Sequence, residues 1–329
     1  MRAVQVIRFG GPEVLVPGDV PEPVAGPGEV IVDVAVASLT FVETQIRRGT
    51  DRWHERPRLP YVPGGLVAGT VSAAENPAWL GHRVVAGTGE TGGFAERAAA
   101  RVDDLLPVPD DLTLSDAIAL CSDGSTALGL TEQARVTRGN RVLVEAAAGC
   151  VGTLLVRLAR AAGARVIGAA RGDRKLDLVR RLGAHAVDYS EPDWTDRVLE
   201  ATGGAGPTVV FDGVGGPIGR AALAITATGG RFSVHGASSG EVTSTGGRRD
   251  VEVIGIEQLF NFGPRVAGRA ERMMAGRIRP VIGQTFPLER AADAHAAVEN
   301  RTALGKTLIY LTDSRSQPAT DSRAGSAMP

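Results

Sequence analysis

One turn in this chain carries the residue types needed to hold a phosphate. The apolar run Arg141-Val142-Leu143-Val144-Glu145 passes into Ala146-Ala147-Ala148-Gly149-Cys150-Val151-Gly152 and then into a helical pattern over 152–162. Small side chains between a strand and a helix let the backbone approach a pyrophosphate. Its charge is then met by free N–H groups and by roughly half a positive charge at the helix N-terminus. Ala146, Gly149 and Gly152 occupy the three small positions of a Gly-x-x-Gly-x-x-Gly variant. Alone that pattern is weak, but at the head of a βαβ unit it reads as a dinucleotide-binding turn.

The end of the following strand selects the cofactor. An NAD site places an acidic residue about 20 positions after the turn, on the ribose 2′-hydroxyl. This chain instead reads Gly168-Ala169-Ala170-Arg171-Gly172-Asp173-Arg174-Lys175. Arg171 and Lys175, one helical turn apart, can converge on a 2′-phosphate, so the reading is NADP(H). Arginine alone says little in a chain so rich in it. Lys175 says more, because only it and Lys306 are lysines among 36 basic residues.

These elements need a scaffold, and the 329 residues suffice for one or two globular domains. With 36 basic against 37 acidic residues the net charge is −1, which gives no footprint for nucleic acid. No apolar run is long enough to span a membrane, and Met1–Ile7 reads as a strand rather than a secretion signal, so the expected location is cytoplasmic. Cys121 and Cys150 are too few for a disulfide framework and lie in no zinc spacing. The histidines at 54, 82, 185, 235 and 295 are scattered, and each reads as a surface or hydrogen-bonded group.

Up to about residue 115 short strands alternate with Gly/Pro turns, among them Gly10-Gly11-Pro12, Pro21-Glu22-Pro23 and Pro63-Gly64-Gly65. Strand and helix then alternate to about 255, which predicts a parallel, doubly wound α/β sheet. A helix over 266–279, an amphipathic stretch over 287–299 and a last strand from Lys306 follow. That strand is expected to return to the first domain. The segment 313–329 lacks an aliphatic cluster and is expected to be a disordered tail.

Taken together, these features resemble the zinc-independent quinone oxidoreductases of the medium-chain dehydrogenase/reductase superfamily. The resemblance covers about residues 1–312. Its marks are Met1-Arg2-Ala3-Val4, Gly10 to Leu15, Arg47-Arg48-Gly49, Pro63-Gly64, Ala68-Gly69, Thr126-Ala127, Val142 to Tyr189, Phe211 to Gly216, Gly236 to Gly240 and Gly305-Lys306. It implies a GroES-like β-rich catalytic domain (1–118 and 256–312) around an inserted Rossmann domain (119–255), a cleft between them, and a homodimer. Lys175 and Tyr189 match positions that contact the 2′-phosphate, and Thr126 matches a Thr-Ala pair beside the nicotinamide. Ala147, Gly149, Cys150, Val151 and Gly152 match the pyrophosphate turn, with Cys150 in place of glycine, and Lys306 joins the cofactor set.

Zinc ligands of related alcohol dehydrogenases are missing: the chain has Ser38-Leu39-Thr40 and Gly64-Gly65-Leu66 where a Cys and a Gly-His-Glu would stand. No metal is expected. Thr40, Gln45 and Leu66 replace an asparagine, a tyrosine and a glutamate common in the family, which makes the pocket smaller and more apolar. Thr40, Gln45 and Tyr61 remain as candidate substrate contacts, while Arg47 is expected to tie a loop by salt bridges. The expected function is an NADPH-dependent reductase of a quinone or related α,β-unsaturated carbonyl. The alternatives are an enoyl or enone reductase of a biosynthetic pathway and an NADPH-binding protein with little turnover.

Overall fold

The computed structural model describes residues 1–89, 91–259 and 266–311; the expected tail at 313–329 lies outside them. Among the described residues two large sheets, one mainly antiparallel and one parallel, organise the fold beside a two-stranded hairpin.

The first is built on the long strand β3. After the hairpin β1 (Arg2–Val6) and β2 (Leu15–Asp19), β3 (Glu29–Leu39) runs eleven residues rich in valine, whose branched side chains suit a pleated surface. Helix α1 (Phe41–Arg48) follows at once, opened by a Thr40/Glu43 capping box and closed by Gly49 in the left-handed region (φ 79°). Strands β4 (Leu66–Ala74), β5 (Arg83–Gly87), β6 (Arg97–Arg101) and β7 (Leu105–Pro107) complete the N-terminal part. β4 lines one edge of β3. The other edge is shared, with β6 along Glu29–Asp33 and the chain's last strand along Val36–Leu39.

Helix α2 (Leu114–Ala119), a π-helical turn (Leu120–Gly124) and α3 (Ser125–Gln133) lead into the second sheet. It alternates β8 (Arg141–Val144), α4 (Cys150–Ala161), β9 (Arg165–Ala170), α5 (Asp173–Arg181), β10 (His185–Asp188), α6 (Trp194–Ala201), β11 (Val209–Asp212), α7 (Gly216–Ala224), β12 (Arg231–Val234) and β13 (Glu252–Ile254). The order β10-β9-β8-β11-β12-β13, parallel throughout, is the doubly wound arrangement expected from the sequence. Its strand order reverses between β8 and β11, where such sheets bind ligands. Both faces are covered: Val142 and Val144 of β8 face one core, Leu143 the other.

Helix α8 (Val266–Ala275) would fall with the first domain under a division at 255/256. Instead it packs against α3 and the π-helical turn, with Met273 against Gly124. The stretch 287–299 divides because β14 (Ile282–Pro287) runs through Pro287, and a 3-10 turn (Leu288–Arg290) leads into α9 (Ala291–Glu299). β15 (Lys306–Tyr310) returns to β3, pairing Thr307 with Leu39. One core runs through the seam, joining Val36, Ala68 and Leu308 of the first sheet to Ile118, Leu130 and Val144.

Arg47 on α1 is fully buried; its Nη1 donates to Gly10 O at 3.0 Å and its Nη2 pairs with Glu299 of α9. This is the loop-tying role expected of it. Removing Glu299 would strand a buried guanidinium, which costs about 3–5 kcal/mol. Glu299→Ala should therefore lower the unfolding free energy by about 3 kcal/mol in a urea titration; a loss under about 1 kcal/mol would show that water reaches Arg47.

Candidate functional site

The glycine-rich turn is tightly built. Ala146 adopts φ 48°, its carbonyl accepts from Gly149 N at 2.8 Å, and Ala147 N donates to Ala169 O at 3.0 Å. A Cβ on Gly152 would stand 2.3 Å from Ala146 O, so only glycine lets α4 approach β8 this closely. Gly149 is the N-cap of α4 and no side chain caps it, leaving the first N–H groups there available to an anion. Cys150 begins the helix with its thiol pushed up to about 12 by burial and by Asp123, so it is no thiolate nucleophile. Val151 is half-buried beside it, and Gly305 bridges to Gly149 from the other lobe.

One strand over, β9 ends at Ala170 with no carboxylate of its own. Arg171 is exposed, Lys175 half-buried, and Tyr189 follows β10 with its N–H on Ala170 O at 3.2 Å. Burial lowers the Lys175 pKa, and Arg301 and Arg171 lower it further. That mutual repulsion marks Arg171, Lys175 and Arg301 as one basic cluster. Asp188 lies nearby, but its oxygens accept from Gly172 N, Ser190 N and Ser190 Oγ at 2.5–2.9 Å, which shapes the loop. Arg301 was not foreseen. It follows α9 with φ 58°, bonds Ser238 O and stacks over Phe41 at 4.0 Å, so it spans the cleft. In an arginine-rich chain nothing local sets it apart.

The seam between the lobes holds a buried charged group that the sequence reading did not assemble. Lys306 Nζ lies 2.9 Å from Asp123 Oδ2, with both side chains under 10% exposed. Burial works against the ammonium, but Asp123, the Cys150 thiol and Glu43 hold its pKa above the ordinary value. Asp123 sits in the π-helical turn just before Thr126, whose hydroxyl donates to Ser122 O at 3.1 Å. Such turns recur at functional sites. Lys306 thus lies between the glycine turn, the Thr126 segment and α1, paired with a carboxylate and beneath the cleft surface.

Of the substrate-contact candidates, Thr40 is half-buried and its hydroxyl is engaged. It donates to Glu43 Oε2 at 2.9 Å and accepts from Glu43 N at 3.4 Å, while Gly65 N donates to Glu43 Oε1 at 3.2 Å. Burial raises the Glu43 pKa despite these donors. The Thr-x-x-Glu spacing was the signal for this cap, and for Glu43 as the cleft carboxyl. Gln45 bonds Thr44 and Thr50, both at 3.1 Å, at the far end of α1. Tyr61 is buried, its phenol pushed up to about 12 by burial, with Arg47 opposing and Glu43 adding. Leu66 is half-buried against the shared core.

One histidine differs from the expectation of surface or hydrogen-bonded groups. His295 is fully buried edge-on to Phe94 with neither ring nitrogen bonded, and burial holds its pKa near 3. That burial follows from tertiary packing rather than local pattern. Among the described residues no group of three His, Cys, Asp or Glu side chains could hold a metal, and no helix is long and apolar enough to cross a membrane.

Comparison with known proteins gives a consistent picture. Residues 26–110 match the alcohol dehydrogenase GroES-like domain, and residues 150–272 match the zinc-binding dehydrogenase family. A Rattus norvegicus quinone oxidoreductase is 32% identical, covering 94% of this chain and 98% of its own. One from Pseudomonas aeruginosa is 31% identical over 94% and 99%. Escherichia coli quinone oxidoreductase, solved with NADPH, superposes with a TM-score of 0.85 at 26% identity, covering 94% of this chain and all of that one. A mycobacterial protein complexed with NADPH gives 0.84 at 32% identity and the same coverage.

The engaged hydroxyl of Thr40 has a measurable consequence. Thr40→Val should cost about 1 kcal/mol of stability through loss of the cap, read as a lower denaturation midpoint at unchanged slope. Stability equal to the parent's would mean that the hydroxyl is free for a ligand.

Proposed function

This chain belongs to the quinone oxidoreductase family of the medium-chain dehydrogenase/reductase superfamily, and from that premise we propose how its own residues serve the reaction. It is an oxidoreductase that uses NADPH to reduce a quinone. The observation that carries the site assignment is the uncapped N-terminus of α4 over the glycine turn, with Arg171, Lys175 and Tyr189 one strand away. The first meets a pyrophosphate, and the second group meets a 2′-phosphate.

In this reading Ala147, Gly149, Cys150, Val151 and Gly152 form the pyrophosphate cradle, and Thr126 lies beside the nicotinamide. Lys306 adds positive charge from below, moderated by Asp123. Bound NADPH supplies the hydride, and the protein supplies position and exclusion of water. Arg301, reaching from Ser238 to Phe41, closes one side of the cleft. Thr40, Gln45 and Tyr61 shape the pocket wall, with the Thr40 hydroxyl held by Glu43 and the Gln45 amide by Thr44 and Thr50. A quinone tolerates that, because its reduced anion is already stabilised; an enone needs a donor at its developing oxyanion. The committed Thr40 hydroxyl therefore favours quinones over enones.

The proposal includes a metal-free, homodimeric enzyme of the cytoplasm, in two domains with α8 on the Rossmann side. Thr40 and Leu66 at positions where zinc ligands would stand support the first point, and free Cys121 and Cys150 accord with a reducing compartment. The test is steady-state NADPH oxidation against benzoquinone, naphthoquinone and a plain enone, beside elemental analysis and light scattering. Quinones should react fastest, without zinc and at a mass well above the 34.1 kDa chain. An enone reduced faster than any quinone, about one zinc per chain, or a monomer mass would each overturn the corresponding part.

Cofactor preference is separately testable. Lys175→Ala should weaken NADPH binding by about 1.5–3 kcal/mol, as for a hydrogen bond to a charged group, and leave NADH nearly unchanged. Equal losses for both would refute the 2′-phosphate role.

A further inference from the structure

The strand order reverses between β8 and β11, and there two acidic side chains meet with no cation between them. Glu145 follows β8 and Asp212 ends β11, and both are fully buried. The strands are joined at this point, since Glu145 N donates to Phe211 O at 3.0 Å. Asp212 Oδ1 accepts from Val214 N at 3.1 Å and Gly215 N at 2.7 Å, and Oδ2 accepts from Thr243 Oγ1 at 2.5 Å. A carboxylate has about four lone-pair sites, so one remains. Among the described residues neither Glu145 oxygen has a full hydrogen bond, and the one donor that lies toward it, Val214 N–H, is already held by Asp212 Oδ1. Two ionised carboxylates here would have only repulsion between them. With one proton on Glu145, its O–H fills the last site on Asp212 and both groups are bonded.

We propose that Glu145 is a positioning residue for the dinucleotide: as a neutral carboxyl it donates to Asp212 across the switch point and holds the two lips of the crevice together, and its ionisation weakens cofactor binding. This rests on the dinucleotide reading of the crevice. Each carboxyl belongs to a lip that cannot give easily. Glu145 leads directly into Ala146 and the close β8–α4 packing at Gly152. Asp212 anchors the Gly213–Gly216 loop through Val214 N and Gly215 N, and a Cβ on Gly219 of α7 would meet its Oδ2 at 2.7 Å. A second negative charge would push the lips apart and repel the phosphates bound above them.

The titratable groups facing the pair are few. Tyr189 from the β10 side and His235 after β12 flank it, and burial holds His235 near a pKa of 4, hence neutral. Arg171, Arg301 and Asp188 lie beyond Tyr189. Burial and Asp212 raise the Glu145 pKa well above its ordinary value. The folded chain therefore keeps a proton that the unfolded chain releases, so stability falls as pH rises above the usual carboxyl range.

The experiment measures NADPH and NADH affinities of the full chain by fluorescence titration from pH 7 to 10, for the parent and Glu145→Gln. NADH is the deciding probe, because burial and the neighbouring arginines lower the Lys175 pKa, and loss of its charge would weaken NADPH alone. Parent affinity for NADH should fall by roughly tenfold. Glu145→Gln keeps a donor but cannot ionise, so its NADH affinity should change less than twofold over the same range. Urea titrations should show parent stability declining with pH more steeply than the variant's. A flat NADH profile in the parent, or parallel profiles in the two proteins, overturns the proposal. If Glu145→Gln does not fold, the parent's NADH profile decides. Failure of the folded parent to bind either cofactor at pH 7 overturns the dinucleotide reading itself, a result distinct from a flat profile.

Discussion

The return of β15 to β3 is the constraint on which the cleft depends. The chain leaves the first sheet after β7, builds the whole parallel sheet, and comes back to pair Thr307 with Leu39, one residue before the cap of α1. That register fixes α1 beside the lysine that begins β15. It also brings Gly305 against Gly149, so the closing strand of one lobe meets the phosphate turn of the other. Without this long-range pairing, neither the shared core nor the Lys306–Asp123 ion pair would form.

Buried charge is distributed around the cleft in a consistent way. Arg47 with Glu299 and Lys306 with Asp123 are each removed from water and paired with an opposite charge. Desolvation makes such groups costly unless their partners are held rigidly. Each pair also joins segments distant in sequence, so the same interactions that neutralise the charges fix the relative positions of elements. Function and rigidity thus draw on the same contacts.

The polar side chains nearest the cleft are largely engaged with the protein. Thr40 caps α1, Glu43 receives the Thr40 and Gly65 donors, and Gln45 closes the C-terminal turn of α1 against Thr50. In the proposed reading, what remains for substrate is a wall that offers few free hydrogen-bond donors. Such a site suits an acceptor whose own electron affinity drives the reaction and asks little acid catalysis of the protein.

Much was legible in the sequence. Local rules suffice for the strand–turn–helix at 141–152, the absence of an acid at Ala170, the lysine at 175 and the alternation of strands with helices, because each depends on neighbours within one or two turns of chain. The Thr40–Glu43 cap came from the structure, which shows the Thr40 hydroxyl engaged with the protein. The pairing of Asp123 with Lys306, the unbonded ring of His295, the reach of Arg301 and the meeting of Glu145 with Asp212 join or bury positions far apart in sequence. Tertiary structure alone decided these, because whether a carboxyl or an imidazole is charged depends on what packs around it, and periodicity along the chain carries no record of that.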